Sequence, residues 1–283
     1  MRQIAVLITC FNRKEKTLSC LKDIYAQEKA DDISMDIYVI DGGSTDGTPA
    51  SIAREYPQVH VKVCSGLYWA GGMREAWKEA VKNKEYDFYW LLNDDTHLYS
   101  YCLTECLKAD KYSLQTYGKQ GIYIGSTQDP NTFKLSYGGI DKNGKWIVPN
   151  GEHYMECELG NANIMMVSKS VLQIIGGFCE EYTHGIADYD YTLRATRSGI
   201  PVLVLPTYGG TCENDHKSTW LSQSTSLKKR IEYLYSPKGL AYKEYMTYVK
   251  KFYPQKAFNI KCKLWLKTLF PCIWEHLKNT DPQ

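Results

Sequence analysis

The chain has 283 residues, of which 43% are hydrophobic and 23% are charged, and its formal net charge is +2. This composition is typical of a globular protein. The near-neutral charge gives no overall field that would favour a nucleic-acid partner. No apolar run reaches the roughly 18 residues that a membrane span needs. The first residues turn polar too soon for a signal peptide, so we expect a cytoplasmic protein.

Ten cysteines are scattered along the chain without a C-x-x-C pair. Several lie inside apolar runs, and no secretory signal accompanies them. We therefore expect reduced thiols that fill core positions. Their spacing also argues against a zinc site.

Short apolar runs alternate with segments of helical spacing in the first third of the chain. Predicted strands cover residues 4–9, 36–40, 59–64 and 88–92. Helical segments begin near Lys16 and at Thr48-Pro49, and a third runs through Ala76 and Val81. This alternation predicts βαβ units and a mostly parallel sheet. Because a polar cluster follows each strand, we expect the clusters to share one edge of the sheet.

The run Phe88–Leu92 reads as a strand buried on both faces, and it ends in Asn93-Asp94-Asp95. Carboxylates at such a strand end suit Mg²⁺ or Mn²⁺, which would in turn hold a diphosphate. A plain alternative is that the aspartates cap the next helix. The residues alone leave both interpretations open.

The second half of the chain has a less regular pattern. We predict helices at 99–111 and 169–175, the latter closed by Gly176-Gly177, and strands at 121–125, 160–168 and 202–205. Asn143-Gly144 lies between apolar segments, which indicates a β-hairpin.

Four segments resemble the nucleotide-sugar half of a family 2 glycosyltransferase of the GT-A fold. They are Ile8-Thr-Cys-Phe-Asn-Arg13, Val39-Ile-Asp-Gly-Gly-Ser-Thr-Asp-Gly-Thr48, Gly71-Gly72 and Leu92-Asn-Asp-Asp-Thr96. A fifth, residues 176–194, resembles the family block G-G-F-D-E … E-D-x-D-L-x-x-R. The resemblance extends to about residue 220. A G-x-G-x-x-G fingerprint after the first strand and a P-loop lysine are both missing, which argues against a dehydrogenase or a kinase.

The resemblance implies a role for each matching residue. Thr9, Phe11 and Asp41 would hold the nucleoside, with Asp41 on a pyrimidine base. Gly71, Gly72 and Arg74 would lie near the base or diphosphate of the donor. Asn93-Asp94-Asp95 would be the D-x-D motif that binds Mn²⁺ or Mg²⁺ against the diphosphate. An asparagine takes the first place of that motif, which moves the main metal-binding duty to Asp95.

In the second block, Asp188 matches the catalytic base of inverting relatives, and Ala187 replaces the usual glutamate before it. Asp190 fits the next acidic position. Alternatively, both aspartates cap a helix that begins at Tyr191. Several relatives place a histidine near His216, which makes it a candidate metal ligand as well as a candidate surface-loop histidine.

From Leu227 the chain becomes basic and rich in aromatic residues. Such a segment suits the surface of an anionic membrane, so we predict peripheral membrane contact through residues 228–274. The alternative is a pair of helices that cover the catalytic domain with solvated lysines outside. No recognised nucleic-acid module is present, and we expect no nucleic-acid partner. Residues 258–267 fit either a helix or a strand.

Together these features predict an α/β protein with a GT-A type, Rossmann-like, mostly parallel sheet flanked by helices. We expect a catalytic domain at 1–225, with a nucleotide-sugar half at 1–100 and an acceptor half at 101–225, and a helical extension at 226–283. The resemblance implies an inverting, metal-dependent transferase that moves a sugar from a UDP- or dTDP-sugar to a hydroxyl of a glycan or lipid-linked acceptor. Cell-envelope polysaccharide synthesis at the inner face of the membrane is the expected setting.

Two other functions remain open at this stage. A sugar nucleotidyltransferase also binds nucleotides and a metal on an α/β sheet, although its glycine- and arginine-rich signature is missing at the first strand turn. A non-catalytic member that binds a nucleotide-sugar is favoured by Asn93 and Ala187, which depart from the family pattern.

Overall fold

The computed structural model describes residues 1–28, 32–214 and 222–273. The strands are β1 Arg2–Cys10, β2 Ile33–Asp41, β3 His60–Val63, β4 Phe88–Asn93, β5 His97–Leu98, β6 Ile122–Gln128, β7 Leu135–Tyr137, β8 Gly139–Ile140, β9 Met155–Glu156, β10 Leu159–Gly160, β11 Ile164–Ser168 and β12 Val202–Thr211. The helices are α1 Lys14–Tyr25, α2 Thr48–Glu55, α3 Trp69–Asn83, α4 Cys102–Tyr117, α5 Lys169–Ile175, α6 Ala187–Arg197, α7 Leu227–Tyr235, α8 Tyr242–Phe252 and α9 Ala257–Leu269. A 3₁₀ turn at Pro254–Lys256 precedes α9.

One large sheet organises the first part of the chain. Its strands run in the order β3-β2-β1-β4-β11-β6-β12-β5, with β7 on β6 and β9 on β12. The pairs β3–β2, β2–β1 and β1–β4 are parallel, and so is β6–β12. Strand β11 is antiparallel to both of its neighbours, β4 and β6. The predicted α/β class with a mostly parallel sheet is confirmed.

The central strands are apolar because both faces of the sheet are covered. In β4 the five residues from Phe88 to Leu92 are all buried, and Trp90 is fully enclosed. Helix α1 packs Cys20, Leu21 and Ile24 into the same core. Each large apolar side chain buried in this way contributes about 1.5–3 kcal/mol to folding. The prediction of a strand buried on both faces is confirmed.

Several boundaries differ from the sequence predictions. Helix α4 runs to Tyr117, six residues beyond its predicted end, and Gly118 ends it. The strand predicted at 160–168 is wrong in its first half, because 161–163 separates β10 from β11. Helix α6 begins at Ala187 and not at Tyr191, so the aspartates near its start lie inside its first turn. The helix at 169–175 is confirmed and stops at Gly176.

The predicted turn at Asn143-Gly144 is also present. Ile140 and Trp146 form an isolated antiparallel bridge, and the Gly144 N–H donates to the Asp141 carbonyl at 2.9 Å. The ten cysteines are free, and six of them are buried as expected. Cys262 and Cys272 are exposed, so the expectation of core positions is wrong for these two.

The described chain divides into two compact units. The first comprises Met1–Glu180 and Ala187–Asn214, and it contains the sheet. The second comprises Glu181–Ile186 and the described residues of Asp215–Gln283. Within the second unit, Glu244 on α8 accepts hydrogen bonds from the Thr183 N–H at 2.8 Å and the Thr183 hydroxyl at 2.7 Å.

Helices α7, α8 and α9 form the basic and aromatic part of the second unit. The Ser226 hydroxyl accepts from the Lys229 N–H at 3.4 Å, which caps α7. Residues 258–267, which the sequence left between helix and strand, are helical within α9. In the three described ranges of the chain, no helix is long and apolar enough to cross a membrane.

Candidate active site

Three strands end side by side at the same edge of the sheet. In the register of the sheet, Cys10 of β1 pairs with Asp41 of β2, and Thr9 pairs with Asn93 of β4. The polar segments after β2 and β4 therefore begin one strand spacing, about 5 Å, on either side of the segment after β1. The prediction that these clusters share one edge is confirmed.

Asp41 is fully buried and shapes the turn after β2. Its Oδ1 accepts from the N–H groups of Gly43 at 2.9 Å and Ser44 at 2.7 Å, and its Oδ2 accepts from the Cys10 thiol at 3.4 Å. Gly43 has a φ of 96°, and a Cβ there would lie 2.6 Å from the Ser65 hydroxyl oxygen. A residue with a side chain would be both strained and crowded at this position.

The loops after β1 and β2 are tied together by Asn12. Its N–H donates to the Ser44 hydroxyl at 2.7 Å, and its side-chain oxygen accepts from the Thr45 N–H at 2.8 Å. Asn12 has a φ of 52°, which asparagine tolerates better than most residues. Phe11, just before it, is 48% exposed. The two loops thus form one ordered rim with an aromatic side chain on the outside.

Asp94 and Asp95 converge on one guanidinium group. Arg13 donates from Nη1 to Asp94 Oδ1 at 3.2 Å and to Asp95 Oδ2 at 2.6 Å, and the Thr17 hydroxyl donates to Asp94 Oδ2 at 3.3 Å. The Asp94 side chain is almost completely buried. Burial raises the pKa of Asp94 to about 7, with Arg13 acting in the opposite direction and Asp95 adding to the rise. The two carboxylates therefore form a site for positive charge.

Helix α3 is docked against this edge through its first turn. The Trp69 indole N–H donates to the Asn93 side-chain oxygen at 2.8 Å. A Cβ on Gly72 would collide with the Thr9 side chain, so only glycine lets α3 lie this close to β1. Gly71 is less confined, since a Cβ there would meet the end of the Leu67 side chain at 3.3 Å.

Arg74, one turn further along α3, contacts the second motif. Its Nη1 donates to the Cys179 carbonyl at 2.9 Å. Arg74 also lines a cavity of about 1020 Å³ together with Gly71, Phe178 and Glu180. This contact joins the Gly71–Arg74 region to the Gly176–Arg194 block, which is far away in sequence.

The candidate base Asp188 lies in the first turn of α6. Its Oδ1 accepts from the Tyr189 N–H at 2.9 Å, and its Oδ2 accepts from the Ala162 N–H at 3.2 Å and the Asn161 amide at 3.5 Å. Burial raises the pKa of Asp188 above its ordinary value, and these hydrogen bonds partly oppose the rise. Ile186, two residues before it, has a φ of 73°, which is unusual for a β-branched side chain.

The segment 161–163 connects Asp188 to the edge of the sheet. At one end, Asn161 and Ala162 bind the Asp188 carboxylate. At the other end, the Asn163 carbonyl accepts from the Asn93 N–H at 3.2 Å. The break between β10 and β11 thus places the backbone that holds Asp188 next to the end of β4.

Cys212 extends this connection to Asp95. The Asn163 amide donates to the Cys212 sulfur at 3.6 Å, and the Cys212 thiol donates to Asp95 Oδ1 at 3.8 Å. The end of β12 therefore reaches the acidic pair as well.

Asp190 has a different environment. Its side chain is fully buried, and Oδ2 accepts from Arg194 Nε at 2.7 Å. Arg194 also donates to the carbonyls of Ile175 at 2.6 Å and Gly177 at 2.8 Å. This arrangement fastens α6 to the end of α5. Asp190 consequently has a structural role that supports the position of Asp188.

The donor atoms around Asp94 and Asp95 suit a hard divalent cation, because carboxylate oxygens are the ligands that Mg²⁺ and Mn²⁺ prefer. The Arg13 guanidinium already pairs with both carboxylates, so this position accommodates positive charge. No group of three His, Cys, Asp or Glu side chains suited to a metal ion occurs within residues 1–28, 32–214 and 222–273. His216 lies outside the described residues.

Sequence reasoning missed several of these contacts. Arg13 belongs to the first motif, but its pairing with both aspartates was not foreseen. The sequence patterns assigned no role to Trp69, Asn161 or Cys212. The local signal for the segment 161–163 was the pair of asparagines, Asn161 and Asn163, within an otherwise apolar predicted strand.

A protein-family model matches the first part of the chain. Residues 5–130 match the family model described as "Glycosyl transferase family 2". The match covers less than half of the 283 residues and includes every first-half motif from β1 to the end of β4. The resemblance found in the sequence is confirmed. No curated protein matches the chain by sequence.

Two solved glycosyltransferase structures are similar in fold to most of this chain. One is the mannosyltransferase PcManGT from Pyrobaculum calidifontis in complex with GDP-Man and Mn²⁺, with 17% identity and a TM-score of 0.53 over 81% of this chain. The other is TarS of S. aureus, with 15% identity and a TM-score of 0.52 over 83% of this chain. The chain spans 59% and 40% of their respective lengths. These likenesses confirm the GT-A type fold.

Proposed function

We propose that the protein is an inverting glycosyltransferase that uses a nucleotide-diphospho-sugar, with UDP- or dTDP-sugars as the expected donors. One observation carries the proposal. One end of the short segment 161–163 is bound to Asn93 and, through Cys212, to Asp95 at the end of β4, and the other end is bound to the candidate base Asp188. A transferase needs this combination of a diphosphate site beside a carboxylate base.

The donor would bind along the rim formed by the first two loops. Thr9 and Phe11 would contact the nucleoside, and the buried Asp41 would face its base. Gly72 supports this arrangement, because it lets the N-terminus of α3 approach β1. Gly71 and Arg74 would lie on the diphosphate side, where helix N-termini favour negative charge.

Asp95, with Asp94, would hold Mn²⁺ or Mg²⁺. The ion would supply positive charge to the diphosphate leaving group as the glycosidic bond breaks. Asn93 would hold helix α3 against the end of β4 and would not bind the ion, since its side-chain oxygen already accepts a hydrogen bond from the Trp69 indole. Arg13 is placed to pair with the acidic residues before the donor binds and with the diphosphate afterwards.

Asp188 would take the proton from the acceptor hydroxyl. Its raised pKa makes the carboxylate a stronger base than an exposed aspartate. The deprotonated oxygen would attack the anomeric carbon opposite the leaving diphosphate, which inverts that carbon. The three hydrogen bonds from Tyr189, Ala162 and Asn161 would fix the direction in which the carboxylate faces.

The acceptor would be a hydroxyl of a glycan or of a lipid-linked sugar, in synthesis of cell-envelope polysaccharide at the inner face of the membrane. The support is the basic and aromatic C-terminal part of the chain, in which eleven Lys and Arg oppose two Glu between residues 222 and 273. In this proposal, residues 1–225 form the catalytic domain and residues 226–283 form the extension that contacts the membrane.

A thermal-shift panel tests the donor class and the metal site together. The protein is melted with UDP, dTDP, GDP or CDP, each with Mn²⁺ or with EDTA. GDP and Mn²⁺ are included because PcManGT was solved with GDP-Man and Mn²⁺. A nucleotide at a hundred times its Kd stabilises the folded state by about 2.7 kcal/mol, which is a shift of roughly 5–10 °C for a protein of this size.

We expect a shift for one pyrimidine diphosphate that needs Mn²⁺ and disappears in Asp95→Ala. The matched control is Asp32→Ala, an exposed aspartate just before β2 at the other end of the sheet, which should shift like wild type. Metal-dependent hydrolysis of the matching nucleotide-sugar then separates an enzyme from a binding protein. If no nucleotide shifts the melting curve, the proposed donor site is wrong.

A further inference from the structure

Helix α9 carries a row of exposed apolar residues, here called the α9 stripe: Phe258, Cys262, Leu266 and Leu269. Phe258 is 75% exposed, Leu266 is 42% exposed and Leu269 is 41% exposed, and the Cys262 thiol is exposed as well. At 100° per residue, these positions fall within an arc of about 80° on the helix. The stripe is therefore one continuous face and not a scatter of single residues.

The opposite side of α9 packs on its own unit. Leu264 and Thr268 are buried there. Trp265, which lies on the helix between this buried side and the α9 stripe, donates from its indole N–H to the Tyr242 hydroxyl of α8 at 3.3 Å. Helix α9 is thus held in place by one face, while the α9 stripe faces away from that packing. Phe270 at 50% and Ile273 at 45% extend the exposed apolar surface beyond the end of the helix.

Positive charge borders the α9 stripe. Lys261 and Lys263 are exposed, and on the helix they lie on opposite sides of the stripe. Across residues 222–273 the eleven basic side chains outnumber the two acidic ones, although the whole chain has a net charge of only +2. The charge is therefore concentrated in the unit that displays the stripe.

We propose that the α9 stripe and its bordering lysines dock on the surface of an anionic lipid bilayer. The apolar side chains would enter the boundary between headgroups and acyl chains, and the lysines would pair with headgroup phosphates. A nucleic acid would use the lysines but would leave the apolar stripe in water. A second copy of the chain would cover the stripe only by bringing two sets of lysines together.

This inference deepens the proposed role at a membrane face by naming the surface that makes the contact. The membrane-docking proposal and the donor-site proposal can be refuted independently of each other. Vesicle binding is measured without donor or acceptor, whereas the donor site is measured without lipid.

The test is flotation of the full chain with vesicles of phosphatidylcholine alone and of phosphatidylcholine mixed with phosphatidylglycerol. We expect binding to the mixed vesicles only, weakened by salt. The double variant Phe258→Ser, Leu266→Ser should lose at least about tenfold in affinity, because both replaced side chains enter the bilayer. The matched control is Phe133→Ser, which removes a phenylalanine that is 72% exposed in the other unit and should bind like wild type.

A charge reversal provides a second arm. Lys261→Glu with Lys263→Glu should also weaken binding about tenfold or more, since each basic residue near an anionic surface contributes about fivefold in affinity. The control pair is Lys142→Glu with Lys145→Glu, which are exposed in the first unit. All of these positions are on the surface, so the melting temperatures should stay close to wild type.

Cys262 offers a direct readout of insertion. An environment-sensitive fluorophore on this thiol, in a Cys272→Ser background, should shift to the blue on the mixed vesicles. Equal flotation of wild type and the stripe variant would overturn the proposal. Light scattering that shows dimers of wild type but not of the Phe258→Ser, Leu266→Ser variant, in the absence of lipid, would also overturn it. So would a variant that still binds both nucleic acid and vesicles as wild type does.

Discussion

Asp94→Asn should stabilise the ligand-free protein and weaken its metal binding at the same time. The Asp94 side chain is 6% exposed, and burial raises the pKa of its carboxyl to about 7 although Arg13 lies beside it. The folded protein therefore carries a charged carboxylate in an environment that disfavours the charge. An amide of the same shape avoids this cost.

The sign and the size of this stability difference follow from the linkage between ionisation and folding. The pKa of Asp94 is about 7 in the folded protein and 3.8 in its ordinary state, so the folded protein binds the proton more tightly. Wild-type stability thus falls as the pH rises between these two values. Three pKa units correspond to about 4 kcal/mol, of which about 3 kcal/mol is lost between pH 5 and pH 8. The advantage of Asp94→Asn over wild type should grow by this amount.

Urea unfolding in EDTA, followed by tryptophan fluorescence from pH 5 to pH 8, measures the difference directly. The exposed Asp32→Asn serves as the control and should follow wild type at every pH. With Mn²⁺ and the matching nucleoside diphosphate, the advantage of Asp94→Asn should shrink, because wild type binds the ligand more tightly and gains more stability from it. A difference between Asp94→Asn and wild type that does not change with pH would refute the reasoning.

Three further predictions concern the glycines of α3 and the aspartates of α6. Gly72→Ala should lower the free energy of unfolding by about 1–3 kcal/mol and weaken nucleotide binding, whereas Gly71→Ala should be tolerated. Urea unfolding and calorimetric titration of the two variants measure these effects. Equal effects of the two substitutions would contradict the prediction. The rate of sugar transfer should rise as the pH rises through the raised pKa of Asp188, because a general base must be ionised to accept a proton. Asp188→Asn should lower this rate roughly a hundredfold or more. A pH–rate profile that is flat or falls would contradict the role of Asp188 as the base. Asp190→Asn should cost about 3 kcal/mol because it deprives Arg194 of its buried partner; a thermal melt measures this, and an unchanged melt would show that the pair does not hold α6.

The sequence alone determined the class of fold and which residues make up the first half of the candidate site. Buried strands of a parallel sheet must be apolar along their whole length, and the polar residues that follow them stand out against that background. This is why Asp41, Asp94 and Asp95 could be selected without a structure and placed at one edge of the sheet. Asp188 came from the resemblance of its block to a family motif, and not from any local pattern.

Only the tertiary structure decided how these residues work together. Arg13 contacts Asp94 and Asp95 across more than eighty positions of the chain, and 161–163 holds Asp188 beside the end of β4 only because β10 and β11 separate there. Long-range contacts of this kind leave no periodic pattern in the sequence. The exposure of the α9 stripe is equally a tertiary property, since the same apolar residues would have suited the inner face of a packed helix. Which face is covered depends on what α8 presents, and local sequence carries no information about that.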